Sequence, residues 1–113
     1  MASSAQPHGP FETLRTDVSD VLNPAAGLKH CRNFLTDLHH GRVLLSDFEA
    51  VILRVPTGRA FSRTGDNLPG TAELFAALSD AEKTQLRAHY FSCVQSVDQA
   101  FPELRQEFPE QFQ

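Results

Sequence analysis

Tryptophan is missing from this 113-residue chain, tyrosine and methionine occur once each, and cysteine only twice. Two cysteines cannot build a disulfide framework. Cys31 and Cys93 both stand among apolar residues at helical spacing, so they read as reduced, buried thiols of a cytoplasmic protein. No C-x-x-C or H-x-x-x-H pattern announces a zinc site. No apolar run approaches the roughly 18 residues that a membrane span needs. Positive charge is also scarce: ten Lys and Arg face fourteen Asp and Glu, a formal net charge of -4. Such a surface repels phosphate backbones as a whole, which speaks against nucleic acid as a partner. A phosphate loop is lacking too, because Gly65 to Gly70 fits neither G-x-x-x-x-G-K-[ST] nor G-x-G-x-x-G and no lysine follows.

What is abundant is phenylalanine, nine residues within a hydrophobic fraction of 41%. A chain of this length removes about two thirds of its unfolded surface from water, so a core can form without metal or disulfide. The organising stretch is Ser79 to Phe101. Leu86, Tyr90, Cys93, Val94, Val97 and Phe101 gather on one third of a helix circumference, a pattern that no strand would produce. Ser79 with Glu82 forms a capping box at its start, and Pro102 halts or bends the helix at Phe101.

Residues 1–10, with no basic and no apolar region, read as a disordered lead rather than a signal or anchor. Phe11, Leu14, Val18, Val21 and Leu22 form the stripe of a first helix, ended by Asn23-Pro24. The same dipeptide opens a second helix, with Asn23 as N-cap, whose stripe is Leu28, Cys31, Phe34, Leu35 and Leu38. Gly41 serves as its stop in the left-handed conformation, and His39-His40 suit the negative end of its dipole. Arg42 to Val55 fits a third helix through Leu45, Phe48, Val51, Ile52 and Val55, although its β-branched content also admits a strand. Leu45-Ser46-Asp47-Phe48-Glu49 echoes Leu78-Ser79-Asp80-Ala81-Glu82, an echo that shared cap chemistry explains better than a repeat. Residues 56–70 have loop chemistry throughout, and Thr71 caps a short helix that leads into the spine.

The expectation is therefore an all-α domain over residues 11–101, a compact bundle or orthogonal array of four main helices plus one or two short ones. Residues 102–113 follow as a tail or short helix. The expected core is Leu28, Phe34, Leu35, Leu38, Phe48, Val51, Ile52, Leu74, Leu86, Tyr90, Val94 and Val97.

Three places carry candidate chemistry. Arg54, Arg59 and Arg63 precede a helix start, and Arg59, Arg63, Thr64 and Thr71 would make an anion site of guanidinium forks, hydroxyls and free amides. His89 and Cys93 stand one turn apart and would meet a single metal ion, with His30-Cys31 or His39-His40 as further ligands. Cys93, however, belongs to the apolar stripe. The tail repeats Phe101-Pro102-Glu103 as Phe108-Pro109-Glu110, so Phe101, Phe108 and Phe112 either fold back on the bundle or are offered to a partner's groove. No oxyanion hole, oriented base or cofactor fingerprint is legible, so an enzyme is the less favoured reading and no cofactor is implied. The favoured reading is a small adaptor or regulator that binds another protein, with a homodimer also compatible. The alternatives are a sensor of anions or phosphorylated metabolites and a metal-dependent helper.

Overall fold

A computed structural model describes residues 9–55 and 70–112. These residues form α1 (Pro10–Val21), a 3-10 turn (Pro24–Ala26), α2 (Leu28–His40), α3 (Phe48–Ile52), α4 (Thr71–Ala76), α5 (Asp80–Ala100), α6 (Pro102–Glu107) and a closing 3-10 turn (Pro109–Phe112). The class is all-α, with no strand among the described residues. Among the described residues only α1, α2 and α5 exceed two turns, so in place of four main helices these residues hold three long helices and three short ones.

The spine forms as its chemistry requires. Ser79 Oγ accepts from Glu82 N at 3.1 Å, and the Glu82 carboxylate accepts from Ser79 N at 2.9 Å. The far end stops at Phe101, whose N–H closes on Val97 O at 2.9 Å before Pro102 starts α6. Leu86, Tyr90 and Val97 are fully enclosed, while Cys93, Val94 and Phe101 flank them on the same face. α1 lays Leu14, Asp17, Val18 and Val21 along α5 and α4, and α6 covers the other end of α5 with Leu104.

Two helix boundaries differ from expectation. Asn23 does cap, its side chain accepting from Ala25 N at 3.0 Å, but it caps only the 3-10 turn. Gly27, at φ 103°, then redirects the chain into α2, a conformation that only glycine adopts without strain. At the other end of α2, Gly41 stays right-handed and Arg42 takes the left-handed conformation at φ 58°. Val43 N bonds Leu38 O at 2.8 Å and Arg42 N bonds His39 O at 3.1 Å, the paired closure of a Schellman motif. A Cβ at Gly41 would meet the Arg54 guanidinium at 2.6 Å.

This turn explains why the third segment is so short. After the Schellman closure the chain leaves the helix at Val43 and Leu44 and turns at Leu45-Ser46, where Asp47 N bonds Leu44 O at 2.9 Å, and Asp47 then restarts a helix by accepting from Ala50 N at 3.3 Å. Most of the expected core is buried, including Leu35, Leu38, Phe48, Val51, Ile52, Leu86, Tyr90 and Val97. Leu28, Phe34, Leu74 and Val94 pack at its edge. The core also takes in Leu14, Val18, Cys31, Leu45, Val55, Phe75, Leu104 and Phe112.

Candidate functional site

Of the anion-site residues, Arg59, Arg63 and Thr64 lie outside the described residues. Thr71 is the first residue of α4 rather than its cap. Gly70 holds the cap position, its N–H donating to the Glu73 carboxylate at 3.2 Å. The Thr71 hydroxyl donates its proton to Val55 O at 2.7 Å, so it ties α4 to the end of the α3 segment. Arg54 turns back over Gly41 and lines a groove of about 400 Å³ with His30, Asn33, Phe34 and Asp37.

His89 and Cys93 do meet, and they meet a third residue that sequence reading passed over. Ser19 of α1 places its Oγ 2.7 Å from His89 Nε2, and Cys93 Sγ lies 3.6 Å from the same nitrogen. The Ser19 hydroxyl donates its only proton to Arg15 O at 3.1 Å. In that arrangement His89 Nε2 donates to Ser19 Oγ, and in the other tautomer Ser19 donates to Nε2 across the same 2.7 Å. Burial lowers the pKa of His89, helped by the Arg15 charge, and burial raises that of the Cys93 thiol. Both groups rest neutral near pH 7 and act as a clasp between α1 and α5. Among the described residues no group of three His, Cys, Asp or Glu side chains is placed to hold a metal.

The tail residues are spread over three environments. Phe112 is buried in the core, whereas Phe101 and Phe108 are half-buried, with the Phe108 ring edge-on to His39 at 6.3 Å. Leu104 is fully enclosed, and Arg32 grips Glu107 through two hydrogen bonds of 2.8 and 2.7 Å. The unexpected residue is Gln111, only 7% exposed. Its Oε1 accepts from Leu45 N at 2.6 Å and its Nε2 donates to Val43 O at 2.8 Å. One side-chain amide thus does for residues 43 and 45 what a neighbouring strand would do. The Tyr90 hydroxyl donates to Leu45 O at 2.5 Å, and burial, with the Asp47 charge second, holds the phenol protonated well above its ordinary range.

Between this clasp and the Schellman turn lies a groove of about 530 Å³, lined by His39, Arg42, Val43, Leu44, Glu110 and Gln111. Leu44 projects at its edge with 44% of its surface exposed. No protein-family model, curated protein or solved structure matches the chain. Functional argument therefore rests on this geometry alone.

Sequence reading missed Gln111, Ser19 and Asp17. Asp17 is a carboxylate only 1% exposed, held and partnered within the buried face of α1. A polar residue at a helical apolar interval was the one available signal for Asp17. For Gln111 there was none, because its partners are backbone atoms 66 and 68 residues away.

Proposed function

We propose that this chain is a cytoplasmic protein-binding module, an adaptor or regulator without catalytic activity of its own, whose partner meets the groove between the Arg42 turn and the C-terminal segment. The observation that carries this reading is Arg42 itself. It occupies, at φ 58°, the position that a Schellman motif fills with glycine. A side chain there costs about 1–2 kcal/mol, and strain of this kind gathers at binding sites. Beside it, Leu44 supplies an exposed apolar anchor, while Arg42 and Glu110 give the groove a charged rim. Phe108, packed against His39, backs one wall, so the repeated Phe-Pro-Glu segment contributes by shaping the surface. The free state of both cysteines supports a reducing compartment.

Cutting the chain at Ala100 would be a poor test, since it opens the core at Leu104 and Phe112. Two surface substitutions do better. Arg42→Gly relieves the strained turn, so it should melt about 4 °C higher while losing the partner. Leu44→Asp should lose the same partner. Affinity capture from the source cell with quantitative mass spectrometry compares all three proteins, and light scattering reads the homodimer in which a second copy fills the groove. A partner recovered equally by wild type, Arg42→Gly and Leu44→Asp removes the groove from the proposal.

A further inference from the structure

Arg32 and Arg105 are each matched to a carboxylate through two hydrogen bonds. Lys83 and Arg87 are supported differently. They stand one turn apart on α5, and aromatic rings lie beneath them in place of carboxylates. Lys83 Nζ is 4.9 Å from the Phe75 centroid, and Arg87 Cζ is 5.7 Å from Phe48 and 5.2 Å from Phe91. The rings form one continuous support. Phe75 meets Phe48 at 6.0 Å, Phe48 meets Tyr90 at 5.5 Å and Tyr90 meets Phe91 at 5.0 Å.

The carboxylates that precede these rings in sequence are already engaged. Asp47, next to Phe48, accepts from Ala50 N; Glu73, two residues before Phe75, accepts from Gly70 N; Glu82, next to Lys83, accepts from Ser79 N. These carboxylates are held at helix starts and none forms an ion pair with Lys83 or Arg87, which stand side by side and repel each other mildly at this spacing. A guanidinium laid on ring faces keeps its edge N–H groups for a planar, bidentate acceptor, and the rings restrict its rotamers before any ligand arrives.

We propose that the Lys83–Arg87 face of α5 docks an acidic peptide segment of a protein partner, one carboxylate bidentate on Arg87 and a second, about 6 Å away, on Lys83. Lys83 and Arg87 are the only Lys and Arg of α5, so the face lacks the basic stripe along which a nucleic-acid backbone would track, and two carboxylates of a peptide match it better. The face shares no residue with the Arg42 groove, so the two proposals stand or fall separately.

Fluorescence anisotropy of a labelled glutamate-rich decapeptide, titrated with the full chain in low salt, tests the inference. Its glutamine counterpart and a labelled ten-residue oligothymidylate serve as the other arms. The glutamate peptide should bind at least about tenfold tighter than the glutamine peptide and weaken as salt rises. Lys83→Gln with Arg87→Gln should weaken it by about tenfold or more, and Arg87→Lys, which keeps the charge but loses the fork, by an intermediate factor. Lys29→Gln with Arg32→Gln removes the same charge from α2 and should change binding less than about twofold. Equal binding of the glutamine peptide, equal weakening by the α2 pair, or tighter binding of the oligonucleotide overturns the proposal.

Discussion

Two polar junctions hold this protein together, and they reverse the order of interest that their residues carry in the sequence. The junction of α1 with α5 is made of Ser19, His89 and Cys93, the residue types from which nucleophiles and metal sites are built. Among the described residues no third ligand joins His89 and Cys93, and the three side chains link two helices. The junction of the C-terminal segment with the α2–α3 turn is made by one glutamine. That glutamine is more buried, satisfies two main-chain groups at once and defines the wall of the groove. Reactivity of a side chain in isolation says little about its use, which depends on where its protons and lone pairs are already spent.

The largest expected effect tests whether the second junction belongs to the body of the fold. Leu104→Ala removes a fully enclosed side chain between α5 and α6 and should cost about 2–5 kcal/mol, read as a lower urea midpoint with the slope unchanged. An unchanged midpoint would make the tail a free arm and dissolve the comparison. Next comes the clasp itself. Gln111→Leu keeps the bulk but strands Leu45 N and Val43 O, so about 1–3 kcal/mol should be lost. Gln111→Glu should fare no better, because a carboxylate oxygen would then face the Val43 carbonyl. A cost below about 0.5 kcal/mol for both variants would mean that water replaces the amide without penalty.

The spine was readable in advance because everything that defines it is local. Ser79 and Glu82 are three residues apart, Leu86 to Phe101 repeat at the helical interval, and Pro102 ends the run by its own covalent geometry. The α2–α3 segment was misread for the opposite reason. Its apolar residues keep a helical spacing, yet Arg42 breaks the helix by adopting a conformation that arginine seldom takes, and the bonds that stabilise the result come from Tyr90 and Gln111, far away in sequence. The candidate site divides along the same line. His89 and Cys93 were found because they sit one turn apart on one helix, whereas Ser19, which meets His89 at 2.7 Å, lies 70 residues away on another.

The smallest expected effect concerns that first junction, and it is a matter of pH. Burial, then the Arg15 charge, holds the pKa of His89 below its ordinary 6.5, while a hydrogen bond to the Arg15 backbone and, after it, the Glu12 charge pull the other way. As pH falls, the unfolded chain therefore takes up this proton before the folded one does. More protons on the unfolded state means that stability rises with pH, so this contribution is complete above about 6.5 and is lost as pH drops toward the lowered folded value. His89→Gln keeps an N–H for Ser19 Oγ but has nothing to titrate. The urea midpoint of the wild type should fall relative to that of His89→Gln between about pH 7 and 5, and the two should run parallel above about pH 7.5. Zinc should leave the wild-type curve where it is, because among the described residues no third ligand joins His89 and Cys93. Parallel curves through the acid range, or a zinc-dependent rise in midpoint, would return the histidine and the thiol to the chemistry that their spacing first suggested.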